Sequence, residues 1–244
     1  MAEQLVVPKH AVGHAVGHAA FGVAPGFAAA RDRTIELLPA FAELVPGGVQ
    51  RGATIGCVGP AAVSLAMAVA AGPVGQGAWV GVAGVPTFGV RAAVELGVAA
   101  ERLVLVTESP GGFAEGQWAD VVAAMIDGFD VVVLGAGVRR VRPAVARRLQ
   151  ARVQQRGSLL VTVGVFDGFG CDLQFAAEQP VWEGLGDGHG MATARRVEVE
   201  LRGRRMPRSR HSTMWLPDAT GHLATASTDV GVSQTPASPL RRTG

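Results

Sequence analysis

Residues Gly56 to Gly72 read Gly-Cys-Val-Gly-Pro-Ala-Ala-Val-Ser-Leu-Ala-Met-Ala-Val-Ala-Ala-Gly, a strand-like run joined to an apolar helix by a tight loop. In such a loop, glycines let backbone N–H groups cradle phosphates. A lysine reaches the β- and γ-phosphates, and a Ser or Thr hydroxyl holds magnesium. Gly56, Gly59, Pro60 and Ser64 keep the turn, but the loop has no lysine, and no lysine occurs anywhere past Lys9. The loop keeps the shape of a phosphate site without its charge, so no nucleotide-binding or catalytic residue is assigned to it.

His10, His14 and His18 repeat at a spacing that would align three imidazoles on a helix, a geometry metals favour. The repeated unit, Ala-Val-Gly-His, carries a helix-weakening glycine, and no carboxylate or thiol joins it nearby. No metal is assigned. Gly135-Ala-Gly-Val-Arg-Arg begins like a dinucleotide fingerprint but lacks the third glycine and the acidic residue at ribose distance. The string from Trp182 to Gly190 holds Asp187 and His189 without a nucleophile and reads as a turn-rich loop. The sequence thus points to no catalytic residue, cofactor or metal.

Arginines supply the remaining candidates. From Pro143 onward, Val145, Leu149 and Val153 form an apolar helical stripe, with Arg148, Arg152 and Arg156 beside it; Arg139, Arg140, Arg142 and Arg147 complete the cluster. Arg202, Arg204, Arg205, Arg208 and Arg210 form a second patch on an expected hairpin. Either patch could meet phosphates or an acidic protein face, or be a solvated surface. Arg148, Arg152, Arg156, Arg202 and Arg204 are the candidate partner or nucleic-acid contacts.

The elements that must carry these residues alternate. Strand-like runs lie at Thr54–Val58, Ala78–Val82, Leu103–Thr107, Val131–Leu134 and Leu159–Val163. Helix-like stretches lie between them at Ala61–Ala71, Phe88–Leu96, Glu115–Ile126 and Pro143–Gln155. This alternation predicts an α/β fold with a mostly parallel sheet. Asp172–Ala177, Ala194–Leu201 and Ser212–Leu216 alternate polar and apolar residues and predict antiparallel edge strands. A short helix is expected over Thr34–Leu44. The domain reading is a flexible arm at 1–31, a core at 32–218, and a disordered tail at 219–244 rich in Thr, Ser, Ala, Pro and Gly.

Composition bounds the class. The chain has 244 residues, 48% hydrophobic and 17% charged, enough for one well-buried domain. No charged residue occurs from Gly52 to Val90, yet Gly56, Gly59, Pro60 and Gly72-Pro73 interrupt any membrane-spanning helix there. The run fits strands buried on both faces with a helix between them. Two cysteines far apart in sequence, and the lack of a leader pattern, predict a reduced, cytoplasmic setting. Residues 1–138 carry 6 basic and 11 acidic side chains, a net of −5, whereas residues 139–244 carry 16 and 9, a net of +7. A basic half suits an anionic partner.

Several segments, in order, resemble the core of the bacterial recombinase RecA. Leu44-Val-Pro-Gly-Gly-Val-Gln-Arg-Gly-Ala-Thr-Ile-Gly-Cys-Val-Gly-Pro resembles its glycine-rich entry, first core strand and phosphate loop. Gly77-Ala-Trp-Val-Gly-Val-Ala-Gly-Val-Pro, then Ala93-Val-Glu-Leu-Gly-Val and Arg102-Leu-Val-Leu-Val, resemble the next strand and helix. Gly128-Phe-Asp-Val-Val-Val-Leu-Gly resembles the Walker B strand, and Arg196-Val-Glu-Val-Glu-Leu-Arg-Gly-Arg the C-terminal hairpin. The likeness covers about residues 36–217. It is greatest to a degenerate actinobacterial branch, the inducible-mutagenesis A-prime proteins of the SOS mutasome. The string Trp182-Glu-Gly-Leu-Gly-Asp-Gly-His-Gly before Arg-Arg-Val-Glu-Val-Glu carries that finer likeness.

The resemblance implies a RecA-like core without ATPase chemistry. The family's water-activating Glu falls near Gly84 and its Walker B Asp at Gly135, and the lysine is missing. Its DNA-binding loops are reduced, with Gly135 leading directly to Arg139 and Pro143, and only Gly164–Gly170 following Val163. It further implies a scaffold in DNA-damage tolerance and translesion mutagenesis, nucleoid-associated on damage. The implied partner is a Y-family-like mutasome subunit and, through it, an error-prone replicative polymerase. Direct DNA binding through the arginines, and a divergent NTPase with non-standard ligands, are the alternatives. Self-association stays open.

Overall fold

The computed structural model describes residues 34–107, 115–135, 141–166, 168–186 and 189–226. The arm at 1–31 with its three histidines, Arg139, Arg140, Asp187 and most of the expected tail lie outside the described residues. The elements, in chain order, begin with strands β1 (Thr34–Ile35), β2 (Val49–Gln50) and β3 (Thr54–Val58). Then come α1 (Ala62–Gly75), β4 (Val80–Ala83), α2 (Val90–Glu95), β5 (Leu103–Val106), α3 (Glu115–Gly128), β6 (Val131–Leu134), α4 (Pro143–Arg156) and β7 (Leu159–Val163). The chain ends its regular structure with β8 (Leu173–Gly186), β9 (His189–Gly203), β10 (Arg210–Trp215) and β11 (Ala224–Thr225).

Nine of these strands form one mixed sheet in the order β11-β10-β9-β8-β3-β7-β6-β4-β5. The run from β5 to β8 is parallel, and the run from β8 to β11 is antiparallel. Strand periodicity sorts side chains onto two cores. Val131, Val133, Val161, Ile55 and Cys57 face α1, while Val132, Leu134 and Leu160 face α3 and α4 with Val122, Ile126, Leu149 and Val153. Burial on both faces explains why these strands are unbroken apolar runs.

The uncharged run from Gly52 to Val90 has a simple destination. Helix α1 is buried from Leu65 to Val74, with the sheet on one side and residues 35–49 packed against it. A Cβ at Gly72 would come within 2.7 Å of Leu37 Cα, so the covering chain lies directly on the helix. Among the described residues no helix is long and apolar enough to cross a membrane.

The covering segment corrects an expectation. Thr34–Leu44 is not a helix: β1 is followed by a single 3-10 turn at Pro39–Phe41. Pro39 lacks an N–H, and its ring would collide with the carbonyl of Ile35 in an α-helix. The segment instead buries Ile35, Phe41 and Leu44, with the Phe41 ring 5.3 Å from Phe175.

The C-terminal part differs in three further ways. Asp172–Ala177 was expected at an edge, but β8 is internal, parallel to β3 on one side and antiparallel to β9 on the other. The glycine-rich string around Trp182 belongs to the β8–β9 ribbon rather than to a loop, because its residues stay paired from Val181↔Arg196 out to Gly186↔His189. Regular structure also runs past Ala219. Asp218 accepts hydrogen bonds from the backbone of Thr220 and His222, and β11 then pairs with β10. That turn uses an aspartate to hold its own chain, which composition does not reveal.

Candidate functional site

The carboxyl ends of β3, β4, β6 and β7 form one edge of the parallel sheet, where α/β folds place ligands. The positions singled out for ATPase chemistry all lie along it. β3 ends at Val58, and Gly59 turns the chain with φ 89°. A side chain at Gly59 would run into the Ala177 carbonyl of β8, so only glycine fits. The turn closes on itself, with Ala62 N–H donating to the Gly59 carbonyl at 3.1 Å. Pro60 is exposed and Ser64 lies in the first turn of α1.

The Ser64 hydroxyl is committed to another chain segment. Arg195 on β9 donates from Nη2 to Ser64 Oγ at 2.7 Å and from Nε to the Leu216 carbonyl at 2.7 Å. Its guanidinium carbon lies 5.0 Å from the centre of the Trp182 ring, a cation–π distance. Partial burial pulls the guanidinium below its ordinary pKa. The start of α1 therefore meets a cation supplied by β9. Arg195 was missed at the sequence level, although its phase could have found it: it shares the strand face of Val197, Val199 and Leu201, which point into the core.

The other two positions are closed by backbone. Gly135 donates its N–H to the Ala83 carbonyl at 2.9 Å. A methyl group at Gly135 would meet the Gly84 carbonyl and lie 2.6 Å from Val85 Cγ2. Gly135 thus abuts Gly84 without room for the smallest side chain of its own. Gly56, a step before the turn, faces away from α1 and lies against the Cys171 thiol. Cys57 and Cys171 are free; burial pushes both thiols above their ordinary range.

The five candidate arginines do not form one surface. On α4, Arg152 and Arg156 both reach Asp127 of α3, with Arg152 Nε 2.8 Å and Arg156 Nε 2.9 Å from Oδ1; Arg152 Nη2 also bonds Oδ2. The hydrogen bond from Arg152, with a further one from Arg156, holds the Asp127 carboxyl down at about 2. The basic stripe read from the sequence is, at these two positions, a tie between helices. Arg148 points to solvent.

On the hairpin, Arg202 forms a two-point pair with Glu200, Nε to Oε1 at 2.9 Å and Nη2 to Oε2 at 2.8 Å. Arg202 first, with smaller help from Ser209 and His211, holds the Glu200 carboxyl below its usual range. Arg204 is exposed, and its guanidinium has no hydrogen bond or ion pair among the described residues. Arg202 and Arg204 border an open cleft of about 310 Å³ on the sheet face opposite α1. No ion pair or hydrogen bond joins the α4 and hairpin groups among the described residues.

These features define an α/β protein with a large mixed sheet, parallel in its core, flanked by helices and extended by antiparallel strands. The family model of the MT3502 N-terminal domain matches residues 43–168, more than half of the chain, and the chain belongs to that family. It is also similar to the uncharacterized protein Rv3395c of Mycobacterium tuberculosis, with 38% identity over 137 residues. That match covers 56% of this chain and 62% of the relative, so the chain spans less than two thirds of that protein. The family match takes in β3 to β7 with the closed sheet edge, whereas Arg195, Arg202 and Arg204 lie beyond it.

Proposed function

We propose that the chain is a RecA-like accessory protein of the inducible-mutagenesis A-prime type, which performs no ATP chemistry. In this reading it acts by protein contact in SOS-induced damage tolerance. Its partner is a Y-family-like mutasome subunit, and through it an error-prone replicative polymerase. The observation that carries the reading is the sheet edge. A strand–turn–helix unit of phosphate-loop shape is kept, yet Arg195 occupies its serine, and Gly84 and Gly135 pack backbone to backbone. Phosphoryl transfer needs a cation at the phosphates, a metal carboxylate and an oriented water. None of the three has a residue at these positions. The strand alternation and the antiparallel extension after β8 also support a recombinase-type core.

The reading is tested by titrating the chain with Mg-ATP while following its melting temperature. A ligand held far above its dissociation constant adds several kcal/mol, about 2.7 at a hundredfold excess. No saturable rise is expected, while the co-expressed mutasome subunit is expected to co-purify with the chain. A saturable rise would favour the divergent NTPase. The net +7 of the second half keeps direct DNA binding as a second reading. Steep loss of oligonucleotide affinity with salt, without subunit co-purification, would favour it.

A further inference from the structure

The chain must pass from β7 to β8 across β3, which lies between them in the sheet. It does so on the face opposite α1: Cys171 sits over Gly56, and Gln150 of α4 donates to the Gly170 carbonyl at 2.6 Å. Beyond this crossing, the same face of β8, β9 and β10 displays Gln174, Glu178, Glu198, Arg202 and His211. The 310 Å³ cleft lies where the crossing chain meets that face. Gly56, Val58 and Gln174 form its floor, Val165 and Phe166 one wall, and Arg202 and Arg204 the other.

Three properties define what the cleft accepts. The charged side chains that line it are both arginines: Arg202, which is paired with Glu200, and Arg204, whose guanidinium carries no ion pair among the described residues. Arg202 is paired at two points with Glu200, which orients its guanidinium along this face. Its other wall is apolar and uncovered: Val165 is 80% exposed. Its floor is partly bare backbone, at Gly56 on β3, which suits a chain lying along the strand. A nucleobase would need an open aromatic face. Phe166 and Phe169 offer none, being 9% and 6% exposed and set edge to face with ring centres 6.2 Å apart.

We propose that this cleft docks an extended acidic peptide of a partner protein. Its carboxylates meet Arg204 and the Glu200-paired Arg202, and an aliphatic side chain lies against Val165 and Val58. The proposal rests on the protein-contact reading above and gives it a surface and a partner chemistry.

The test uses the full chain and a labelled short peptide of alternating Glu and Leu, followed by fluorescence anisotropy. A Lys/Leu peptide and an oligothymidine of equal length are the comparisons. Saturable binding of the Glu/Leu peptide is expected, with weaker binding of the other two. Arg204→Glu and Val165→Asp are each expected to weaken it by about tenfold or more. Both positions are exposed, so an unchanged melting temperature checks that each variant folds. Three results would overturn the proposal: no saturable peptide binding, unaltered affinity in both variants, or tighter binding of oligothymidine that Arg204→Glu abolishes. Subunit co-purification that survives Arg204→Glu would also overturn this cleft while leaving the scaffold reading intact. Saturable Mg-ATP stabilisation would remove the scaffold reading without touching the peptide result.

Discussion

Replacing Asp127 by Asn isolates the tie between α3 and α4. Asp127 receives Arg152 and Arg156 together, and its carboxyl is held at about 2. Relative to an ordinary aspartate near 3.9, that shift corresponds to about 2.5 kcal/mol at full strength. The two arginine side chains are 45% and 53% exposed, so solvent screens the pair and about 1 kcal/mol is the expected remainder. For a chain of this length, that lowers the melting temperature by about 3 °C at neutral pH. The sign follows from the depressed pKa: the stabilisation is complete above the unfolded value near 4 and fades as pH falls toward about 2. Thermal or urea unfolding of wild type and Asp127→Asn, from pH 7 down to pH 3, reads both effects. The two curves should converge as the pH drops, and the gap at pH 7 should shrink in 1 M salt as screening increases. Equal stability at pH 7, or a gap that persists undiminished at the acid end and in salt, would refute this account. The same variant separates roles on α4. If Arg152 and Arg156 serve to join helices, freeing them leaves partner binding unchanged. A triple reversal of Arg148, Arg152 and Arg156 to Glu would place two carboxylates against Asp127 and confound folding with binding.

Arg195→Ala removes two hydrogen bonds of 2.7 Å and the cation over Trp182. It should cost about 1–3 kcal/mol and shift the tryptophan emission, whereas Ser64→Ala alone should cost less than about 1.5 kcal/mol. An unaltered emission spectrum and melting temperature in Arg195→Ala would contradict the packing described for the helix start. Truncation after Asp218 deletes β11 and the partly buried Leu223. Compared with a chain ending at Ala226, it should melt several degrees lower, because about 1–2 kcal/mol of burial and pairing is lost. Equal melting temperatures would show that residues 219–226 contribute nothing to stability.

Much of the architecture was legible in the chain because parallel strands buried on both faces leave plain signals. The runs Thr54–Val58, Val131–Leu134 and Leu159–Val163 coincide with β3, β6 and β7, and Pro143 starts α4 as expected. The absence of lysine from Gly59–Ser64 is likewise legible without coordinates. Where the reading failed, a local pattern was overruled by its surroundings. Thr34–Leu44 looked helical in isolation, but Pro39 and the demand to cover α1 flattened it. The glycines around Trp182 suggested a loop, yet pairing with β9 holds them in a ribbon, since long-range ladder bonds override weak strand propensity.

Only the tertiary structure decided what each polar residue does. Arg148, Arg152 and Arg156 share one helical stripe, but an aspartate twenty-five residues earlier than Arg152 captures two of them and leaves the third to solvent. Arg195 and Ser64 are 131 residues apart and meet because β9 lies two strands from β3, at the start of α1. Gly84 and Gly135 abut because β4 and β6 are neighbours in the sheet. Residue type fixes which interactions a side chain is able to make. Its partner is chosen by strand order and register, which emerge when all the strands settle into one sheet.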